Sequence, residues 1–168
     1  MSCRRLIPRL FHLLPAFMCL ISIYYAGSAV AQHNASQRHG NLEISSAWAR
    51  ATPPAARTGG VYLTVVNHGS GAERLIAAGS PAAGQAELHT HINDAGVMRM
   101  KAVDAILLGP GERLSLRPGG LHVMLIDLKA PLREGTSLTL TLTFAGAGTV
   151  TVDVPVLRTP PVASDHRH

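Results

Sequence analysis

Leu138-Thr139-Leu140-Thr141-Leu142-Thr143-Phe144 alternates apolar and hydroxyl side chains without a break. A period of two puts successive side chains on opposite faces of an extended strand, so the leucines and Phe144 share a face suited to burial. A second run follows at once, in which Val150, Val152 and Val154 alternate with Thr151 and Asp153. The intervening Ala145-Gly146-Ala147-Gly148 reads as a hairpin loop.

Outward from this hairpin the chain keeps the same character. Extended segments are expected at Leu42 to Arg50, Gly60 to Asn67, Glu73 to Ala78, Ala86 to His91, Val97 to Lys101, Arg113 to Arg117 and Leu121 to Leu128. Turn signals separate them, among them Pro53-Pro54, Asn67-His68-Gly69, Gly79-Ser80-Pro81, Gly109-Pro110-Gly111 and Pro118-Gly119-Gly120. No segment sustains a helical spacing of 3.6 residues. Many short strands punctuated by Gly and Pro predict an all-β fold, an Ig-like antiparallel β-sandwich or barrel.

The N-terminal stretch reads differently. Arg4, Arg5 and Arg9 precede an apolar run from Leu10 to about Tyr25, and Ala29-Val30-Ala31 supplies a cleavage signal. Residues 1–31 are therefore expected to be a signal peptide, with an apolar run shorter than the ~20 residues a membrane-spanning helix needs. A soluble periplasmic protein without stable membrane insertion is the expected product, and nothing in the pattern calls for more than a monomer. Residues 32–40 and 157–168 read as flexible tails, leaving 41–156 as one domain.

Cleavage changes what chemistry is available. Cys3 and Cys19 both lie in the expected leader, so the mature chain has no thiol. Disulfides, iron–sulfur clusters, zinc–thiolate sites and blue-copper centres are excluded. Of the net charge of +5, three positive charges belong to the leader, which leaves about +2. With few aromatic residues and no basic cluster, nucleic acid is not an expected partner.

Against this scaffold His89, Met100, His122 and Met124 stand out. Residues two apart on a strand share a face, so His122 and Met124 can present an imidazole and a thioether side by side, with Val123 and Leu125 turned toward the core. Thioethers are soft and neutral, and two of them with two imidazoles favour Cu(I) over zinc, magnesium or calcium. A single Met is commonly core filler. Met98 shares a face with Met100, and His91 with His89, so spacing alone leaves one ligand and one bystander open in each pair.

The spacing His89-x10-Met100-x21-His122-x-Met124 resembles that of the periplasmic copper chaperones of the PCuAC family. The surrounding text is also similar, in Ala47-Trp48-Ala49-Arg50-Ala51-Thr52-Pro53-Pro54, Thr58-Gly59-Gly60-Val61-Tyr62, Gly96-Val97-Met98-Arg99-Met100 and Pro118-Gly119-Gly120-Leu121-His122-Val123-Met124. The likeness runs from about Leu42 to Val156. It implies a cupredoxin-like β-sandwich that binds Cu(I) through His89, Met100, His122 and Met124. Delivery by ligand exchange is implied too, to a CuA-bearing oxidase subunit or another periplasmic copper chaperone. Thr90 follows His89 where the family has an optional Met, and His91 and Met98 stand as reserve ligands.

Sequestration of periplasmic copper without a dedicated recipient is the alternative reading. An enzyme is not expected, because Glu87, Asp94 and Asp104 form no evident acid–base pair near the motif. The tails carry a separate expectation. His33 would become the second residue after cleavage, and with the α-amine and the intervening amide it offers nitrogens in the tetragonal arrangement that Cu(II) prefers. His39, His166 and His168 could add imidazoles to such a Cu(II) site.

Overall fold

The computed structural model describes residues 36–94 and 96–161. Among them the chain forms strands and turns with no helix: β1 (Gln37–His39), β2 (Leu42–Arg50), β3 (Thr58–Asn67), β4 (Glu73–Gly79), β5 (Ala83–Asp94), β6 (Val97–Ala102), β7 (Ile106–Leu108), β8 (Arg113–Leu116), β9 (His122–Leu128), β10 (Ser137–Phe144) and β11 (Gly148–Leu157). The quoted alternation forms β10, whose Leu138, Leu140, Leu142 and Phe144 are buried and whose hairpin partner β11 buries Val150, Val152 and Val154.

Backbone hydrogen bonding runs through β6-β5-β9-β3-β2-β11-β10-β4-β7, with β1 on β2 and β8 on β3. β11 joins the two layers of a cupredoxin-like sandwich. Most of its length pairs antiparallel with β10, and its last two residues pair parallel with β2, Val156 against Ala49 and Leu157 against Arg50. This parallel ladder makes the sheet mixed, where a purely antiparallel one was expected. The strand changes layer at this point, so its end meets β2 running in its own direction. Between the layers lie Ile44, Val61, Leu63, Val65, Leu88, Val123 and Leu125 from one side and Leu75, Leu108, Leu140, Leu142, Phe144 and Val154 from the other.

Two strands were not anticipated. β7 is a three-residue segment too short to establish a period, and it pairs with β4 at the sheet edge. β1 lies inside the stretch 32–40 expected to be a flexible tail. Its residues instead pair with Leu42–Ile44 across a turn in which Gly40 takes a φ of 58°. His39 is anchored there, its Nε2 3.0 Å from the Ala147 carbonyl oxygen, which a copper-collecting tail residue would not be. At the other end Leu157, placed in the tail 157–168, is the last residue of β11, and its carbonyl accepts from the Ala51 amide at 2.9 Å. The expected signal peptide, His33, His166 and His168 lie outside the described residues.

β2 contains the irregularity that matters most for the outer surface. Its register against β3 shifts between Ser45 and Trp48, and Ser46 adopts a φ of 52°. Before the bulge Leu42 and Ile44 point inward; beyond it Ala49 does. One extra residue has thus turned Trp48 to the outer face, opposite Tyr62.

Leu140 is fully buried and opposite Val152, far along the chain from the outer-face histidines. Leu140→Ala is expected to lower the unfolding free energy by about 2–5 kcal/mol in equilibrium denaturation. A loss below about 1 kcal/mol would place Leu140 outside the close-packed core.

Candidate metal centre

β9 begins directly after the turn Pro118-Gly119-Gly120, where Gly119 has a φ of 77° that suits glycine. Val123 and Leu125 are fully buried, which commits His122 and Met124 to the opposite, outer face. Antiparallel pairing then decides their neighbours. His122 lies opposite His89 of β5, and Met124 lies opposite Glu87 of β5 on one side and Gly60 of β3 on the other. One hairpin further, His91 lies opposite Met100 and Asn93 opposite Met98. Directly opposed residues share a face, so His89, His91, Met98, Met100, His122 and Met124 all belong to one face of the sheet.

The distances distinguish them. The His122 ring centroid is 5.9 Å from that of His89, 5.2 Å from that of His91 and 6.3 Å from that of Tyr62. Tyr62 in turn packs on Trp48 at 4.7 Å, forming an aromatic floor that helps cover His122, whose relative exposure is 4%. A cavity of about 530 Å³ opens over this floor, with His91, Met100, His122 and Met124 in its wall and Gly60 and Tyr62 beneath them. His89 does not line this cavity. A Cβ on Gly60 would meet the Tyr62 hydroxyl at 2.6 Å, so glycine there is what lets that ring lie over the residue opposite Met124.

Hydrogen bonds orient the rings. Gly120 offers one carbonyl oxygen to two imidazoles, 2.9 Å from His122 Nδ1 and 3.3 Å from His91 Nδ1. A carbonyl only accepts, so both rings carry a proton on Nδ1, and in the neutral ring the Nε2 lone pair is free. His89 is held the other way round. Its Nε2 is 2.9 Å from Glu87 Oε2, while its buried Nδ1 has no partner. Buried polar atoms are rarely left so, and metal-binding imidazoles commonly give their other nitrogen to a carboxylate or carbonyl. Burial pushes the His122 imidazole below the ordinary histidine range. The Gly120 carbonyl opposes that shift, and the nearby His91 and His89 rings reinforce it.

The donor types narrow the chemistry. Among the described residues no group of three or more His, Cys, Asp or Glu converges on a common point. The donors gathered on this face are imidazoles and thioethers, and thioethers suit soft ions better than hard ones. The four ligands expected from the sequence are brought to one face. His91 joins the cavity wall, and Met98 stays exposed farther along the β5–β6 hairpin. Missed by sequence reasoning were the supporting groups: Glu87, the Gly120 carbonyl, Gly60 and the Trp48–Tyr62 floor. Trp48 and Tyr62 do stand within the text that resembles the family, but their contact depends on the bulge in β2.

Residues 42–156 match the family described as Putative lipoprotein LpqE-like. A relative from Leifsonia xyli subsp. xyli, Putative lipoprotein Lxx21020, is 36% identical over 113 residues, covering 67% of this chain. The match spans 66% of that relative's own length. Among solved structures, the copper-bound PCuAC domain from PmoF2 superimposes with a TM-score of 0.64 at 30% identity, covering 74% of this chain and 99% of that domain. The CuI form of DR1885 from Deinococcus radiodurans gives a TM-score of 0.54 at 28% identity, with 80% and 86% covered. Family match, relatives and the shared sandwich agree, and the chain belongs to the LpqE-like family, which is the PCuAC family.

Proposed function

We propose that this protein is a copper carrier of the cell envelope that holds one Cu(I) through His89, Met100, His122 and Met124. The observation that carries the reading is the cross-strand pair His89 and His122 beside Met124, with the buried His89 Nδ1 lacking any partner. A soft monovalent ion supplies that partner and suits the neutral thioethers. Each imidazole presents one lone pair, with its other nitrogen tied to Glu87 or to Gly120. The copper-bound PCuAC domain and the CuI form of DR1885 support copper as the cargo.

Transfer needs no catalysis. A site whose Met100 is about half exposed, at 52%, can be approached by an acceptor's ligands while His122 still holds the metal. Competing thiolates or imidazoles then replace the protein's ligands one at a time. A CuA-bearing oxidase subunit, or another periplasmic copper chaperone, is the acceptor this reading calls for. Export to the periplasm agrees with the signal-like residues 1–31 and with the lipoprotein description of the Leifsonia relative. Binding of Cu(II) by His33, His166 and His168 is part of the proposal, with removal of 159–168 and 32–36, which leaves β1 and β11 whole, as its test. The shortened chain should lose Cu(II) and keep Cu(I).

Met124→Leu keeps the side-chain volume and removes the sulfur, so stability is expected to change by less than about 1.5 kcal/mol. Its Cu(I) affinity, measured by competition with a chromophoric Cu(I) chelator, should fall by at least the roughly 10–100-fold that loss of even an outer partner costs. Unchanged affinity would remove Met124 from the ligand set.

Acid gives a second measurement. The folded chain holds His122 below its ordinary value, so the unfolded chain takes up a proton first as pH falls. The contribution of neutral His122 is thus complete above about pH 6.5. It is lost as pH drops from there through the lowered folded value. Urea unfolding of the apo protein and of His122→Gln between pH 8 and pH 5 should show the wild type losing more stability over that window. A wild type that gains on the variant during acidification would contradict the burial of a neutral ring.

A further inference from the structure

We infer that His91 is a further copper ligand, forming an outer position that shares His122 with the inner set and through which the metal enters and leaves. The inference rests on the carrier reading above and adds a second station to it. His91 lines the cavity together with Met100, His122 and Met124, whereas His89 does not. Its ring centroid is 5.2 Å from that of His122, closer than the 5.9 Å of His89. It stands directly opposite Met100, so an imidazole and a thioether are neighbours across the β5–β6 hairpin.

The bond to Gly120 is the feature an ordinary surface histidine would not need. His91 and His122 come from different strands and donate Nδ1–H to the same carbonyl oxygen. Both rings are thereby set in one tautomer with free Nε2 lone pairs, the arrangement that readies an imidazole for a metal. His89 is committed differently, with Nε2 on Glu87 and the buried Nδ1 as its open atom. Two imidazole pairs therefore share His122. One, with His89, is enclosed; the other, with His91, faces the cavity.

Movement between them is a ligand substitution. As the copper–nitrogen bond to His91 Nε2 forms, that to His89 Nδ1 breaks, while His122 and a thioether stay bound. Both donors use lone pairs of neutral rings, so no proton is transferred, and copper remains Cu(I) throughout. An acceptor then meets a metal already displaced toward solvent.

The test uses the mature protein loaded with one Cu(I), with His91→Gln and His89→Gln as variants. Release to an excess of a bicinchoninate-type Cu(I) chelator is followed by stopped flow, and equilibrium affinity is measured separately. Imidazole nitrogen resonances are recorded during Cu(I) addition. His91→Gln should keep its affinity within about threefold and slow loading and release alike by about tenfold or more, since removing a station on the path raises the barrier in both directions. The His91 Nε2 resonance of the wild type should shift or broaden on loading. Wild-type release from His91→Gln, or an unmoved His91 Nε2 resonance, overturns the outer station and leaves the carrier reading standing. Loss of affinity in His91→Gln with full affinity in His89→Gln also overturns it, because His91 would then be the inner ligand. The carrier reading itself fails if His89→Gln and Met124→Leu both bind Cu(I) as the wild type does.

Discussion

Sliding β9 by one residue against its neighbours would turn His122 and Met124 into the core and bring Val123 and Leu125 to solvent. Complete burial of Val123 and Leu125 penalises that slip heavily, since each side chain is worth about 1.5–3 kcal/mol on removal from water. The same register sets His122 opposite His89 and Met124 opposite Gly60. The His89–His122 pair and the position of Met124 depend on this alignment. The placing of His122 and Met124 on the outer face is thus a by-product of core packing.

Around that alignment the outer face is made partly dry. The bulge at Ser45–Trp48 sends Trp48 outward onto Tyr62, and Tyr62 reaches toward His122. Burial in turn favours the neutral imidazole, the form that ligates. A neutral ring beside neutral thioethers makes a poor home for a divalent ion that needs charged ligands. It is a tolerable one for a monovalent soft ion, whose desolvation costs less. Strain at Ser46 and electrostatics at His122 are in this way parts of one arrangement, separated along the chain but linked across the sheet through Tyr62 of β3.

Polar groups beside the rings divide the histidines. Glu87 holds His89 from within β5, and the Gly120 carbonyl holds His91 and His122 from the turn before β9. Such contacts fix tautomer and ring orientation before any metal arrives. The difference between an enclosed imidazole and one open to the cavity follows from which of these anchors each ring uses. Flexibility of the β5–β6 hairpin is not needed to explain it.

The sequence by itself determined most of the strand layout and, away from the β2 bulge, which side chains share a face, because a period of two is a local property that hydrophobic burial enforces residue by residue. Nine of the eleven strands among the described residues were legible in this way, and so was the placing of His122 and Met124 on one face. The short β1 and β7 were not, since three residues carry no readable period and are held by partners distant in the chain. Nor could spacing alone separate His89 from His91, which share a strand, a face and a chemistry; the family motif picked out His89. The tertiary structure set their surroundings apart, through a cross-strand register and a turn carbonyl. Those depend on contacts between residues tens of positions apart, and alternation along one strand carries no record of what lies across from it.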